Sequence, residues 1–121
     1  MHTIQFSGPL HEKSYFFALH IVIFATKIAK DKKEFVLSRQ ITRSATSVGA
    51  NIEEAQQPQS RPDFISKLSI ALKEAYESRY WLHLLRDAGF AEKIETDLLL
   101  VEVTEVISML IRSIKTAKQG P

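Results

Sequence analysis

The sequence predicts an all-α fold, an antiparallel up-down-up-down four-helix bundle, and three observations predict it. Apolar residues recur at steps of three and four in four separate stretches, about residues 11–30, 33–57, 61–88 and 91–118. The breaks between them are short and carry Pro, Gly or capping residues, and short connections make antiparallel neighbours. No stretch shows the strict alternation of a half-buried strand. The 121 residues read as one domain, 1–121, in which residues 1–10 form an irregular lead-in around Gly8-Pro9. A chain of this length builds a core without disulfide or metal staples.

The first helix carries Phe17, Ile21, Phe24 and Ile28 as one apolar stripe, while Phe16, Leu19, Val22 and Ile23 fill much of its remaining circumference. Asp31 followed by Glu34 has the spacing of a capping box and is expected to restart the chain. Leu37, Ile41, Ala45, Val48 and Ile52 then give the second helix one clean buried face. Pro58 and Pro62 bracket the next break, where Ser60 and Asp63 have N-terminal cap spacing and Pro62 is tolerated in a first turn.

Along the third helix Phe64, Leu68, Ala71, Ala75, Ser78, Leu82 and Leu85 lie on one line. Its small middle residues are expected to face Ala45 and Gly49, because a mid-helix glycine costs about 1 kcal/mol relative to alanine and close packing would offset that. Gly89 sits where a left-handed helix end belongs, with Phe90 placed for the accompanying apolar contact. The fourth helix runs from Leu98-Leu99-Leu100-Val101 to Val106, Ile107, Leu110, Ile111 and Ile114. Acids (Glu92, Glu95, Asp97) precede bases (Arg112, Lys115, Lys118), the polarity the helix macrodipole favours.

Composition narrows the function classes. With no cysteine, the chain has no disulfide framework, thiolate nucleophile or Cys-based metal centre. Sixteen basic and 14 acidic residues leave a net charge of +2, mild for a dedicated nucleic-acid binder. The run Tyr15 to Ala25 is interrupted by His20 and is too short to span a bilayer, so no membrane association is expected. Met1 to Leu10 lacks the basic start of a secretory signal. A cytoplasmic location follows as the expectation.

The first and fourth helices are apolar over more of their circumference than a monomeric bundle buries. Either these are scattered surface hydrophobes or they form a second buried face against copies of the same chain. Contiguous apolar patches are rare on monomers, so a homo-oligomer is expected.

The run Gln40-Ile41-Thr42-Arg43-Ser44-Ala45-Thr46-Ser47-Val48-Gly49-Ala50-Asn51-Ile52-Glu53-Glu54-Ala55 mixes polar and small residues along a helix. It is followed by Asp63-Phe64-Ile65 and by Ile70-Ala71-Leu72-Lys73-Glu74-Ala75-Tyr76-Glu77-Ser78-Arg79-Tyr80-Trp81-Leu82. Together these resemble the bacterial four-helix-bundle family of 23S rRNA intervening-sequence proteins, over nearly the whole chain. The resemblance implies a cytoplasmic bundle assembled as a homopentameric ring, with no established catalytic activity and no cofactor. It also implies RNA or DNA as a partner, and a reverse transcriptase where the gene accompanies a diversity-generating retroelement, because related accessory proteins of such elements bind both. Many relatives read Asn-Ile-Ala-Glu-Gly where this chain has Asn51-Ile52-Glu53-Glu54-Ala55.

Arg43, Asn51, Glu54 and Glu77 match polar positions of the family pattern. They read either as a carboxylate-plus-amide site or as a structural hydrogen-bond network in which the arginine fork pairs a carboxylate. A di-metal centre of the kind helical bundles build needs Glu-x-x-His on two helices. Phe17 and Tyr80 stand three residues before His20 and His83, and neither the Glu74/Glu77 nor the Glu102/Glu105 pair has a histidine at ligand spacing. No metal site and no catalytic residue is therefore expected.

Lys27, Lys30, Lys32, Lys33, Arg39 and Arg86 gather at one end of an antiparallel bundle. They read as a solvated helix end interleaved with Asp31, Glu34 and Asp87, or as a phosphate-tracking surface. Tyr76, Tyr80 and Trp81 read as packing anchors or as base-stacking platforms.

Overall fold

The computed structural model describes residues 3–120, and among them the chain forms four α-helices and no strand: α1 (Pro9–Lys32), α2 (Val36–Ala55), α3 (Arg61–Asp87) and α4 (Lys93–Gln119). Each packs on the next in the chain, and α4 closes the square on α1 through the sparsest of the four seams. This is the antiparallel bundle the periodicity predicts. Met1, His2 and Pro121 lie outside the described residues, so the lead-in is observed only from Thr3 onward.

The core is where the stripes meet. Phe17, Ile21, Ile41, Val48, Ile52, Leu68, Leu82, Leu85, Val103, Val106 and Leu110 are fully enclosed. Burying each side chain of this size stabilises the fold by about 1.5–3 kcal/mol. Leu37 and Phe64 sit half-buried at the ends of their stripes. Thr96 adds a buried hydroxyl in the first turn of α4, satisfied by the carbonyls of Glu92 and Lys93.

Helix ends decide the boundaries. Pro9 takes the first turn of α1, two residues earlier than the apolar pattern begins. At the other end α1 runs through Asp31 to Lys32, and Lys33 ends it in the left-handed region at φ 56°. The expected Asp31–Glu34 capping box therefore does not form, because Asp31 is still helical. Glu34 instead caps α2 from outside, accepting the Val36 and Ser38 backbone N–H groups at 3.3 and 2.9 Å.

α2 stops at Ala55 without a left-handed residue. Its last turn tightens, with Gln56 and Gln57 N–H donating to the Glu53 and Glu54 carbonyls, and Ala55 is buried. The α3 start follows its signal: the Ser60 hydroxyl accepts from Asp63 N–H at 3.1 Å, while the Asp63 carboxylate accepts from Gln59 N–H. Gly89, at φ 83°, closes α3. Phe90 N–H donates to the Leu85 carbonyl and Gly89 N–H to that of Arg86, a pair of bonds that uses two carbonyls otherwise orphaned at the helix end.

Gly49 does not face α3. A Cβ there would meet Ala18 Cβ at 3.5 Å and the Ser14 carbonyl at 3.6 Å, both on α1. The close α2–α3 approach is made by Ala45, Ala71, Ala75 and the Ser44–Ser78 pair, all buried.

Candidate functional site

The polar residues of the α2–α3 motif divide into separate contacts. Arg43 reaches across from α2 and forks, donating from Nη1 to Glu74 Oε2 at 2.8 Å and from Nη2 to Glu77 Oε2. Glu74, absent from the sequence-based set, is thus as much a partner as Glu77. Asn51 lies two turns further along α2 and bonds within its own helix, to the Ser47 carbonyl and hydroxyl. Glu54 is more exposed and sits 3.7 Å from Lys67 Nζ, which also approaches Asp63. The four residues do not converge on one point. Two of them, with Glu74, form a clamp across the helix seam.

The aromatic run beside this clamp is divided too. Tyr76 and Tyr80 are exposed, with the Arg79 guanidinium 5.0 Å from the Tyr76 ring centre. Trp81 is half-buried, edge-on to Tyr80 at 5.0 Å, and its Nε1 is enclosed with no hydrogen-bond partner among the described residues.

At the end of the bundle where α1 meets α2 and α3 meets α4, the basic residues gather among acids. Lys27 approaches Glu95 at 3.7 Å, and Arg86 pairs with Asp87 at 2.9 Å and Asp97 at 3.7 Å. The Asp87 hydrogen bond in particular holds the Arg86 guanidinium above its ordinary pKa. Lys30, Lys32, Lys33 and Arg39 form no ion pair among the described residues. A recess of about 300 Å³ opens here, lined by Lys27, Asp31, Lys32, Phe90, Glu92 and Glu95. Its charge is mixed.

The α1–α4 seam carries a ladder of ion pairs. Lys13, His20 and Lys27 stand seven residues apart on α1 and pair with Glu105, Glu102 and Glu95 of α4 at 2.7, 2.7 and 3.7 Å. The Glu105 hydrogen bond raises the Lys13 pKa above its ordinary value. Beside this ladder the apolar excess lies open: Phe16 and Ile23 on α1, and Ile94, Leu98 and Val101 on α4, are exposed, and so are Leu19 and Val22 further round α1. Ile23 and Leu98 line a shared groove of about 260 Å³. Sequence reasoning also missed a buried histidine, His11, whose Nε2 lies 2.7 Å from Glu53 Oε1. Among the described residues no group of three or more His, Cys, Asp or Glu side chains is placed to hold a metal ion. No helix of the described residues is long and apolar enough to cross a membrane.

A four-helix bundle clamped by ion pairs across its α1–α4, α2–α3 and α3–α4 seams and uncovered along its α1 and α4 flank is the class of protein that this geometry defines. The chain belongs to the 23S rRNA-intervening sequence protein family, whose family model matches residues 10–112. It is similar to a crystallised protein of unknown function from the S23 ribosomal protein family of Bacteroides thetaiotaomicron VPI-5482. The two are 47% identical and superpose with a TM-score of 0.87, covering 89% of this chain and 100% of that chain. No curated protein matches it.

Proposed function

We propose that this chain is a non-enzymatic assembly protein that works in the cytoplasm as a homo-oligomer, with the α1/α4 flank as the contact between copies. The observation that carries this reading is the exposed row of Phe16, Leu19, Ile23, Leu98 and Val101 on a folded protomer. A monomer leaves that area in water, whereas a second copy covers it. Five copies in a ring is the stoichiometry that the family resemblance implies. The carboxylates that a catalytic site would draw on are engaged as structural partners: Glu74 and Glu77 by Arg43, Glu102 by His20 and Glu105 by Lys13. Sedimentation velocity at micromolar concentration tests the proposal. A single species several times the 13.8 kDa protomer mass supports it, and a clean monomer overturns it.

A second reading is an RNA- or DNA-binding accessory protein, with a reverse transcriptase as protein partner where the gene lies in a retroelement. It is favoured by Lys30, Lys32, Lys33 and Arg39, which lie together around the α1–α2 connection without acidic partners among the described residues. Assembly would repeat this small patch around a ring and strengthen its field. Binding that weakens steeply with salt, and is lost when Lys30, Lys32 and Lys33 are changed to Glu, supports this reading. Undetectable binding at low ionic strength removes it.

A further inference from the structure

The segment ahead of α1 folds back across the bundle. The Phe6 ring packs on those of His11, Tyr15 and Phe16, with centroids 5.2, 5.5 and 5.9 Å apart. Ile4 joins Tyr15, Ala18, Gly49 and Ala50 in lining an apolar groove of about 380 Å³ between α1 and α2. Ser7 ties the segment down twice. Its backbone N–H donates to His11 Nδ1 at 3.0 Å, and its hydroxyl donates to Gln56 Oε1 just past the end of α2.

These bonds fix the state of His11. A backbone N–H can only donate, so Nδ1 must present its lone pair. The ring proton then resides on Nε2, which donates to Glu53 Oε1 at 2.7 Å. His11 is only 6% exposed, so the ring has little freedom to choose other partners. Glu53 from α2 is the charged group facing the ring. Tyr15 is the other titratable group in the groove, and Gln56 and Ser7 contribute neutral groups.

A second proton on the imidazole has one place to go, Nδ1. It leaves the Glu53 bond in place and sets N–H against the Ser7 N–H. The Ser7 hydroxyl oxygen, 3.4 Å away, can accept that new N–H, but the Ser7 backbone N–H, 3.0 Å from the same nitrogen, is left without its acceptor. The bond that fails therefore joins the segment to the bundle, while the bond between α1 and α2 survives. We propose that residues 3–7 are a proton-operated strap, held over the aromatic side of α1 while His11 is neutral and released when the ring is protonated. Release uncovers Tyr15 and Phe16, which belong to the exposed apolar side of α1. That consequence for assembly rests on the self-association proposed above. The strap itself is a property of one protomer.

Nuclear magnetic resonance on the full chain, followed from alkaline to acid pH, tests it. The ring nitrogens of His11 should report the Nε2–H tautomer at the alkaline end. The protection of the Ser7 amide against hydrogen exchange, corrected for intrinsic rate, should fall about tenfold as the ring gains its proton, since one hydrogen bond is lost. In His11→Gln, which does not titrate, Ser7 protection should be flat with pH whatever its level. An Nδ1–H tautomer, or Ser7 protection that stays constant through the ring titration of the wild type, overturns the proposal. If the strap opens and sedimentation is unchanged, the strap stands and only its link to assembly falls.

Discussion

Ser44 and Ser78 share a 2.8 Å hydrogen bond between α2 and α3, with both side chains fully buried. The Ser78 hydroxyl also reaches the Glu74 carbonyl at 2.9 Å and the Ser44 hydroxyl the Ile41 carbonyl at 3.3 Å, so either serine can donate across the seam. A residue without side-chain bulk is needed on each helix for the backbones to come this close, and serine adds a polar link. Ser44→Ala and Ser78→Ala should each destabilise by about 1 kcal/mol, less a few tenths for alanine's better helix propensity. The double variant should cost less than the sum, by about 0.5–1 kcal/mol. Urea unfolding at one fixed protein concentration reads the coupling, and strict additivity would show that the bond carries no energy.

Gly49 has no packing reason inside the protomer. The contacts at 3.5 and 3.6 Å that a Cβ would make are ordinary van der Waals distances, so alanine fits. Gly49→Ala should stabilise the protein by about 0.5–1 kcal/mol through helix propensity alone. Gly49→Leu should destabilise it by about 1–3 kcal/mol, because the larger side chain has to displace α1 at Ala18. Thermal and urea midpoints of the two variants should move in opposite directions.

The helices are legible because each core stripe repeats at helical spacing over about three turns or more. Ser60 and Gly89 mark ends correctly because a hydroxyl cap and a left-handed glycine act on their own local backbone. Asp31 misleads because the chain takes its left-handed turn at Lys33, a residue type that rarely adopts it. The polar partners are hidden for another reason. His11 meets Glu53 and His20 meets Glu102 across 42 and 82 residues of chain, and no local pattern says which faces of two helices will touch. The heptad spacing of Lys13, His20 and Lys27 was the one available hint.

Asp97 makes acid stability testable. A hydrogen bond from Lys93 at 2.7 Å, then the charges of Lys93 and Arg86, hold its carboxyl below the ordinary value, against the opposing pull of partial desolvation. A carboxyl depressed in the folded state contributes stability above its unfolded pKa, near 4, and loses it as pH falls through the lower folded value. Asp97→Asn should therefore unfold at lower urea concentration than wild type at neutral pH, and the two should converge on the acid side of pH 4. The site is at the surface, so added salt should narrow the gap. A gap that widened on acidification would contradict the assignment.

Arg43 distinguishes a clamp from a site. Its fork engages two carboxylates at once, which a lysine ammonium does not reproduce. Arg43→Ala should cost about 1 kcal/mol, since the guanidinium is half exposed and pairs at that exposure are worth about 0.2–1 kcal/mol each. Arg43→Lys should fall between. Circular dichroism should keep its helical form in both, and the loss should shrink in high salt. An alanine variant as stable as wild type would remove the clamp as the reason for these residues.

Ile23 and Leu98 are 61% and 66% exposed and line the same groove of the α1/α4 flank, while Phe24 and Leu99, their chain neighbours, belong to the core. Changing the exposed pair to lysine removes apolar area without touching a buried side chain. Each substitution should alter protomer stability by no more than about 0.5 kcal/mol, because surface positions away from caps and networks seldom do more. Lysines set into a contact between copies are costly, since a buried charge without a partner is penalised by far more than an exposed one. Ile23→Lys/Leu98→Lys should therefore keep its helicity and sediment as a smaller species than wild type. Ile70→Lys, on the exposed side of α3, serves as the matched control and should sediment as wild type does. If the double variant keeps the wild-type mass and the control loses it, the copies meet through α3, and the α1/α4 flank is surface.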